Sequence, residues 1–242
     1  MEKLKQALRR VEAAVTPRRN QITFDSHRLS VVRSLWWDDT DQRVFDSEIL
    51  PYFAVLRRRP QVVVDAGAAT GMFSLAVCTR FRGAVLYAFE PSIRQRIILR
   101  RNLRFNSFTD RVHVEKYALW NSFAHLDFRT HGAISSLEAV SGLIGQMPFR
   151  ERVTAISLDQ WAAEVALPKL DLVKMDIEGA EIEALQGARE TLKRFSPELL
   201  VQAYHLRENE QAFERCADVL TRLGYRCEDS GAALLHALPE ER

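Results

Sequence analysis

The stretch Val62-Val63-Val64-Asp65-Ala66-Gly67-Ala68-Ala69-Thr70-Gly71, VVVDAGAATG, decides the fold. Three consecutive β-branched residues read as a strand covered on both faces, and the Asp and Gly that close the run read as a tight turn. The apolar, uncharged segment Met72 to Cys78 follows, which makes the unit strand, turn, helix.

The same rhythm continues downstream. AVLYAFEP at 84–91 is a second strand, after which Ser92 caps a helix to about Phe105, and RVHVEKYAL at 111–119 is a third strand. LDLVKMD at 170–176 is a fourth, followed by a helix from Ala180 to Phe195 that Pro197 stops. ELLVQAYH at 198–205 is a fifth, followed by a helix over 209–223 with Gly224 just past its end. YRCED and AALLHAL flank Ser230-Gly231 with no room for a helix between them, so this last pair is antiparallel. The expected fold class is therefore α/β: a seven-stranded, mostly parallel sheet with an antiparallel C-terminal strand and helices on both faces.

Residues 120–156 break the rhythm. Asn121-Ser122, Thr130-His131-Gly132, Ser135-Ser136, Ser141-Gly142, Gly145 and Pro148 mark a loop-rich insertion with two short strands, a segment of the kind that carries specificity. After it, SLDQWAAEV is a short helix capped by Ser157. Upstream, Leu4, Leu8, Val11 and Val15 recur at helical spacing, an amphipathic helix suited to packing on the domain or on a second copy of the chain. ITFDSHRLSVV suggests a hairpin around Asp25-Ser26-His27, and Val44 to Leu56 a helix that ends at Arg57-Arg58-Arg59-Pro60. The expected organisation is an N-terminal segment, 1–60, leading into a ligand-binding domain, 61–242.

The 242 residues, 47% apolar and 27% charged with a formal net charge of +2, describe one soluble domain with no bulk attraction to nucleic acid or anionic membrane. Cys78, Cys216 and Cys227 form no zinc-type spacing and read as reduced thiols. The N-terminus MEKLKQALRR lacks an apolar signal core, and the charge-free run Ala66 to Thr79 is too short to span a bilayer. A cytoplasmic protein is the expectation.

In open parallel sheets, ligands sit beyond the carboxyl ends of the strands where strand order reverses, so the first turn is the first place to look. A dinucleotide fingerprint anchored on Gly67 needs glycine at positions 69 and 72, where the chain has Ala69 and Met72. The remaining pattern, Asp-x-Gly-x-x-x-Gly, makes Asp65, Gly67, Ala68 and Gly71 candidates for a loop whose amides and acid face a ligand amine. Glu90 ends the second strand, where a carboxylate accepts hydrogen bonds from a ribose diol, and no arginine stands by for a 2′-phosphate. Together these favour S-adenosylmethionine over a nicotinamide cofactor; the bland alternative is that both acids merely cap the next helices. Tyr117 and Ala118 end the third strand and offer a flat apolar slot for adenine, or simply core packing.

VKMDIEGAE at 173–181 is unusually charged for a core strand running into a helix. Lys174 and Asp176 share one strand face at its ligand-side tip, while Glu178 and Glu181 fall near the helix start, where carboxylates are favoured. His205 ends the neighbouring strand. Asp176, His205 and Lys174 are the catalytic candidates, Asp176 or His205 taking a proton from an acceptor hydroxyl. Alternatively Asp176, Glu178 and His205 hold a divalent cation such as Mg2+ that lowers the hydroxyl pKa.

These residues resemble the FkbM-type methyltransferases from about Val62 to Tyr225. The resemblance is carried by LDLVKMDIEGAEIEALQGA, then by VVDAGAATGMFS, AFEPS, ISLDQW and the Tyr204-His205 ending. It implies a Rossmann-like class I methyltransferase fold and O-methylation of a small-molecule acceptor such as a sugar, glycan or polyketide-type metabolite. It also implies that Asp65, Gly67 and Glu90 bind S-adenosylmethionine and that Asp176 and Glu178 belong to the active-site edge. The chain departs from the family's usual loop at Ala69, where asparagine is commoner, and at Gln202, where many members have glutamate. Two other readings compete. A nucleic-acid or N-directed methyltransferase would use Arg57 to Arg59 with Arg96, Arg100 and Arg104, but solvated faces explain these and no Asn-Pro-Pro-aromatic element occurs. A catalytically silent binding module would lack cofactor binding altogether.

Overall fold

The structure is a computed structural model that describes residues 19–32, 42–131, 134–137, 149–204, 206–207 and 210–240. The expected amphipathic helix at 2–15 lies outside them. The chain opens with the hairpin β1 (Arg19–Phe24) and β2 (His27–Val32), turned by Asp25 and Ser26, both at positive φ. A helical stretch follows: α1 (Gln42–Val44), a π-helical turn (Phe45–Ile49) and α2 (Leu50–Val55), with Pro51 in its first turn.

The main sheet is built from β3 (Val62–Ala66), β4 (Val85–Phe89), β5 (Val112–Glu115), β10 (Leu172–Met175), β11 (Glu198–Gln202), β14 (Tyr225–Asp229) and β15 (Leu234–Pro239). Its spatial order is β14-β15-β11-β10-β3-β4-β5, with β15 antiparallel to both neighbours. From β3 the chain winds outward to β5 and returns to β10 on the other side, so the order reverses between β3 and β10. Helices α3 (Met72–Arg80), α4 (Ile93–Phe105), α5 (Leu158–Glu164), α6 (Glu181–Gln186), α7 (Arg189–Phe195) and α8 (Ala212–Thr221) cover it. One apolar cluster joins Trp161, Leu185, Leu192 and Cys216 to the sheet, and a second joins Phe73, Leu75, Leu99 and Leu103.

Three expectations are corrected. The insertion is not mainly loop: β7 (Ala124–His131), β8 (Ile134–Leu137) and β9 (Phe149–Ile156) form a four-stranded sheet with β6 (Ala118–Leu119). The β7–β9 ladder runs unbroken from Ala124 opposite Ala155 to Thr130 opposite Phe149, and Ser135 and Ser136, expected to mark a loop, lie within β8. Thr130 and His131 lie within β7, and residues 132–133 and 138–148, with Gly132, Ser141, Gly142, Gly145 and Pro148, lie outside the described residues. The third strand also divides: β5 stays in the main sheet, β6 enters the small one, and Tyr117 sits at the junction. A two-residue pair, β12 (Leu206–Arg207) and β13 (Glu210–Gln211), precedes α8.

The expected helix over 180–195 is two helices, α6 and α7, separated at Gly187. A Cβ there would lie 2.2 Å from the Trp120 carbonyl oxygen, so close packing against the strand-to-strand loop demands glycine.

The N-terminal segment is tied in by polar contacts. Asn102 on α4, fully buried, accepts from the Val32 amide at 2.7 Å and donates to the Thr70 carbonyl at 2.8 Å, joining hairpin, helix and turn. Glu198, also fully buried, accepts from the Arg57 amide at 2.8 Å, from the Arg58 amide at 3.0 Å, and pairs with His236 Nε2 at 2.7 Å.

The tightest constraint is at Gly67, with φ of +72°: a Cβ there would lie 1.9 Å from the Asp176 carbonyl oxygen. Gly67→Ala should therefore cost at least about 2 kcal/mol of stability in chemical denaturation. Gly83→Ala, whose added Cβ would meet nothing within 4 Å, should change it by less than about 0.5 kcal/mol.

Candidate active site

A cavity of about 480 Å³ opens over the carboxyl ends of the parallel strands. Its wall takes Gly67 and Ala69 from the turn after β3, Glu90 and Pro91 after β4, Tyr117 and Ala118 at the β5–β6 junction, and Asp176 and Glu178 after β10. Gln202 and Tyr204 close it from β11, with Gly231 and Ala232 of the last hairpin, while Ser47, Glu48, Pro51 and Tyr52 come from the N-terminal segment.

The first turn works differently from the expectation. The Gly67 and Ala68 amides both donate to the Phe89 carbonyl at 3.0 Å, the Ala69 amide donates to Glu90 Oε2 at 2.9 Å, and the Gly71 amide donates to the Ala68 carbonyl at 2.7 Å. The loop is thus clamped to the end of β4, with its amides engaged inside the protein. Gly71 starts α3 at φ of +89°, and a Cβ there would lie 2.3 Å from Leu99 Cδ1. Ala69 itself holds φ of +46°, a conformation asparagine adopts more readily than alanine.

Asp65, expected to face a ligand amine, is turned inward and fully buried. Its Oδ2 accepts from the Ser74 hydroxyl at 2.7 Å, and its Oδ1 forms an ion pair with Lys174 Nζ at 3.3 Å. Lys174, expected near Asp176 or a substrate, is buried with it; its ammonium donates to the Gly67 carbonyl at 3.0 Å and lies near the rings of Tyr52 and Phe73. Parallel pairing puts Lys174 opposite Asp65, so the two charges compensate each other within the sheet. A lysine without this partner would be costly there.

Glu90 is buried at the cavity wall. Its Oε2 takes the Ala69 amide and its Oε1 the Ser92 amide at 2.8 Å, which leaves further lone pairs on both oxygens. Burial pushes its carboxyl up to about 7, opposed by those two amides. Glu181 is the helix-start carboxylate expected: its Oε1 accepts from the Ile177 and Gly179 amides at 3.1 Å, and burial pushes it up to about 7 as well.

Asp176 and Glu178 reach the cavity, each met by a tyrosine. The Tyr52 hydroxyl donates to Asp176 Oδ2 at 3.3 Å, and the Tyr204 hydroxyl to Glu178 Oε2 at 2.7 Å. Burial, and then the Asp176 carboxylate, holds the Tyr52 phenol well above its ordinary value, so it remains a donor. Glu178 sits at φ of +57° beside Gly179 at +101°, a left-handed pair that turns the chain from β10 into α6. His205 lies outside the described residues. Among those residues no group of three or more His, Cys, Asp or Glu is placed to hold a metal, and the expected cation set includes His205, which is not one of them.

Two parts of the wall escaped sequence reasoning, and a third, Gln202, stood out only as a departure from the family's glutamate. Tyr52 carried no signal beyond lying on a helix. Gln95 did: it is a polar residue among the buried positions of α4, with Leu99, Asn102 and Leu103. Gln202 donates from Nε2 to the Ala232 carbonyl at 2.6 Å and so fixes the last hairpin turn over the cavity, a bond that a glutamate could not donate.

The reversed strand order, the antiparallel last strand and a cavity at the strand tips define a Rossmann-like methyltransferase fold. More particularly, the chain belongs to the FkbM family of methyltransferases: the family described as "Methyltransferase FkbM domain" matches residues 65–227, more than half of the chain. Methyltransferase sdnD of Sordaria araneosa is 26% identical over 156 residues, 53% of this chain and 60% of that protein. The 2-O-methyltransferase NoeI of Sinorhizobium fredii is 25% identical over 155 residues, 58% of this chain and 63% of that protein. The match therefore spans less than two thirds of either relative. A solved structure of methyltransferase FkbM from Methylobacillus flagellatus shares the fold, with a TM-score of 0.54 and 20% identity over 76% of this chain and 45% of that one.

The raised carboxyls set a pH dependence. In the fold the neutral forms of Glu90 and Glu181 are favoured, so the unfolded chain ionises first as pH rises. The ligand-free protein should lose stability from about 4.5, their ordinary value, to about 7, and level off above. Denaturation midpoints across that range should fall, and Glu90→Gln should flatten part of the slope.

Proposed function

We propose that the protein transfers a methyl group from S-adenosylmethionine to a hydroxyl of a small polyhydroxylated or polyketide-type acceptor. The observation that carries this reading is the buried Glu90 carboxylate at the wall of a cavity of about 480 Å³, at the strand tip where a ribose diol is recognised. Cavities of roughly 300–1,000 Å³ suit small-molecule ligands.

The residues present fit this cofactor. Glu90 keeps lone pairs for two ribose hydroxyls, and Phe89, Tyr117 and Leu119 make an apolar slot for the base. Gly67, its carbonyl held by Lys174, lies in the wall between Glu90 and Asp176 because β3 runs between β4 and β10. Asp65 stabilises that turn from below through Lys174, in place of the direct amine contact first expected. Bound there, S-adenosylmethionine supplies an electrophilic methyl on a sulfonium.

The chain's own chemistry is then modest. Methyl transfer to a hydroxyl needs alignment and removal of one proton. Asp176, oriented by the Tyr52 hydroxyl, accepts that proton, and Glu178, oriented by Tyr204, holds the acceptor. The small β6–β9 sheet flanks the adenine side through Ala118 and Leu119.

A nucleic-acid acceptor is less well supported. Arg57 pairs with Glu228 at 2.8 Å, Arg58 donates to the Ser196 carbonyl, and Arg96 donates to the Glu90 and Pro91 carbonyls, so these arginines serve the fold. Among the described residues no helix is long and apolar enough to cross a membrane.

Calorimetry with S-adenosylhomocysteine tests the cofactor: the wild type should bind it, and Glu90→Ala should weaken binding at least about tenfold. No binding heat from the wild type would refute the reading, including in favour of a silent module. Asp176→Asn should keep that affinity yet lose at least about a hundredfold in transfer of labelled methyl to a panel of sugars and hydroxylated metabolites. Wild-type turnover in this variant would remove Asp176 from the chemistry.

A further inference from the structure

Gln95 lies among the buried positions of α4 and is only 3% exposed. Its neighbour on that helix, Asn102, has both ends of its amide hydrogen-bonded. Gln95 differs: its Oε1 is buried with no hydrogen-bond partner, although the residue stands in the cavity wall with Glu90, Pro91 and Tyr117. Native folds rarely leave a buried amide carbonyl unmatched, because the lost hydration is not recovered unless a ligand or water completes it.

We propose that Gln95 is a specificity residue that reads the base of the bound nucleoside, its carbonyl accepting from the exocyclic amine of adenine and its NH2 donating to an adjacent ring nitrogen. This rests on the cofactor reading above. The adenosyl group of the cofactor carries three donor groups, the 2′ and 3′ ribose hydroxyls and the amine. Each Glu90 oxygen already accepts one backbone amide, which leaves one further site on each for the hydroxyls. The amine then needs its own acceptor on the same wall. Among the described residues lining the cavity, Gln95 Oε1 is the one buried side-chain polar atom without a partner.

The chemistry suits the assignment. A glutamine amide presents one acceptor and two donors in a plane, and matches the amine and neighbouring nitrogen of adenine together. Its terminal torsion is broad, so the amide turns its edge toward the slot without leaving a rotamer well. Phe89, Tyr117 and Leu119 supply the apolar contacts of the slot, which do not distinguish one purine from another. Discrimination falls to Gln95.

The test is calorimetry on the full chain with S-adenosylhomocysteine and S-inosylhomocysteine, in which a ring carbonyl replaces the amine. The wild type should bind the adenosyl ligand about tenfold or more tighter, since the mismatched base leaves buried polar groups unpaired. Gln95→Leu, with its fold checked by circular dichroism, should lose about tenfold in affinity for the adenosyl ligand and bring the two ligands within about twofold of each other. Wild-type protein that binds both ligands equally overturns the proposal, whether or not the variant folds. So does a folded Gln95→Leu that keeps the wild-type preference. Failure of the wild type to bind S-adenosylhomocysteine at all is a different result, which refutes the cofactor reading itself.

Discussion

The approach of two backbones at the switch point governs this structure. Where β3 ends, Gly67 brings the chain so close to the Asp176 carbonyl that no side chain fits between them. The contact sets β3 and β10 tip to tip, and the cavity is the space those tips and their neighbours leave. A larger residue would have to part the strands on which the cavity wall stands. Gly67 is therefore a packing glycine first, and its positive φ is the means of the approach.

Charge is managed around that contact by depth. Beneath the turn, Lys174 and Asp65 neutralise each other, with the Ser74 hydroxyl donating to Asp65 and Lys174 donating to the Gly67 carbonyl. One layer higher, Glu90 and Glu181 are buried against backbone amides that partly offset their desolvation. At the cavity itself Asp176 and Glu178 are held by tyrosines from opposite ends of the chain, one preceding and one within the span matched by the family. The same short segment thus contains a structural cation, a loop-bracing carboxylate and two carboxylates that reach the cavity.

The strands of the main sheet are legible because buried parallel strands leave an unmistakable mark, runs of Val, Leu and Ile closed by Gly, Asp or Glu. The insertion is misread for a related reason. Its strands alternate polar and apolar residues, and serines inside β8 mimic turn signals when the partner strand is unknown. The break at Gly187 is equally hidden, since only the approach of Trp120 from another element demands it.

For the site, the linear chain determined which residues stand at strand tips, because strand period and turn chemistry are local properties. That put Gly67, Glu90, Tyr117, Asp176 and Glu178 at the cavity without any knowledge of contacts. Only the tertiary structure decided which way each charge faces: Asp65 and Lys174 share a strand-to-strand register that turns them toward one another. It also decided which distant residues close the wall, Tyr52 from the N-terminal helix, Gln95 from α4 and the last hairpin bound by Gln202. Pairing partners and burial are properties of several segments at once, and no single segment encodes them alone.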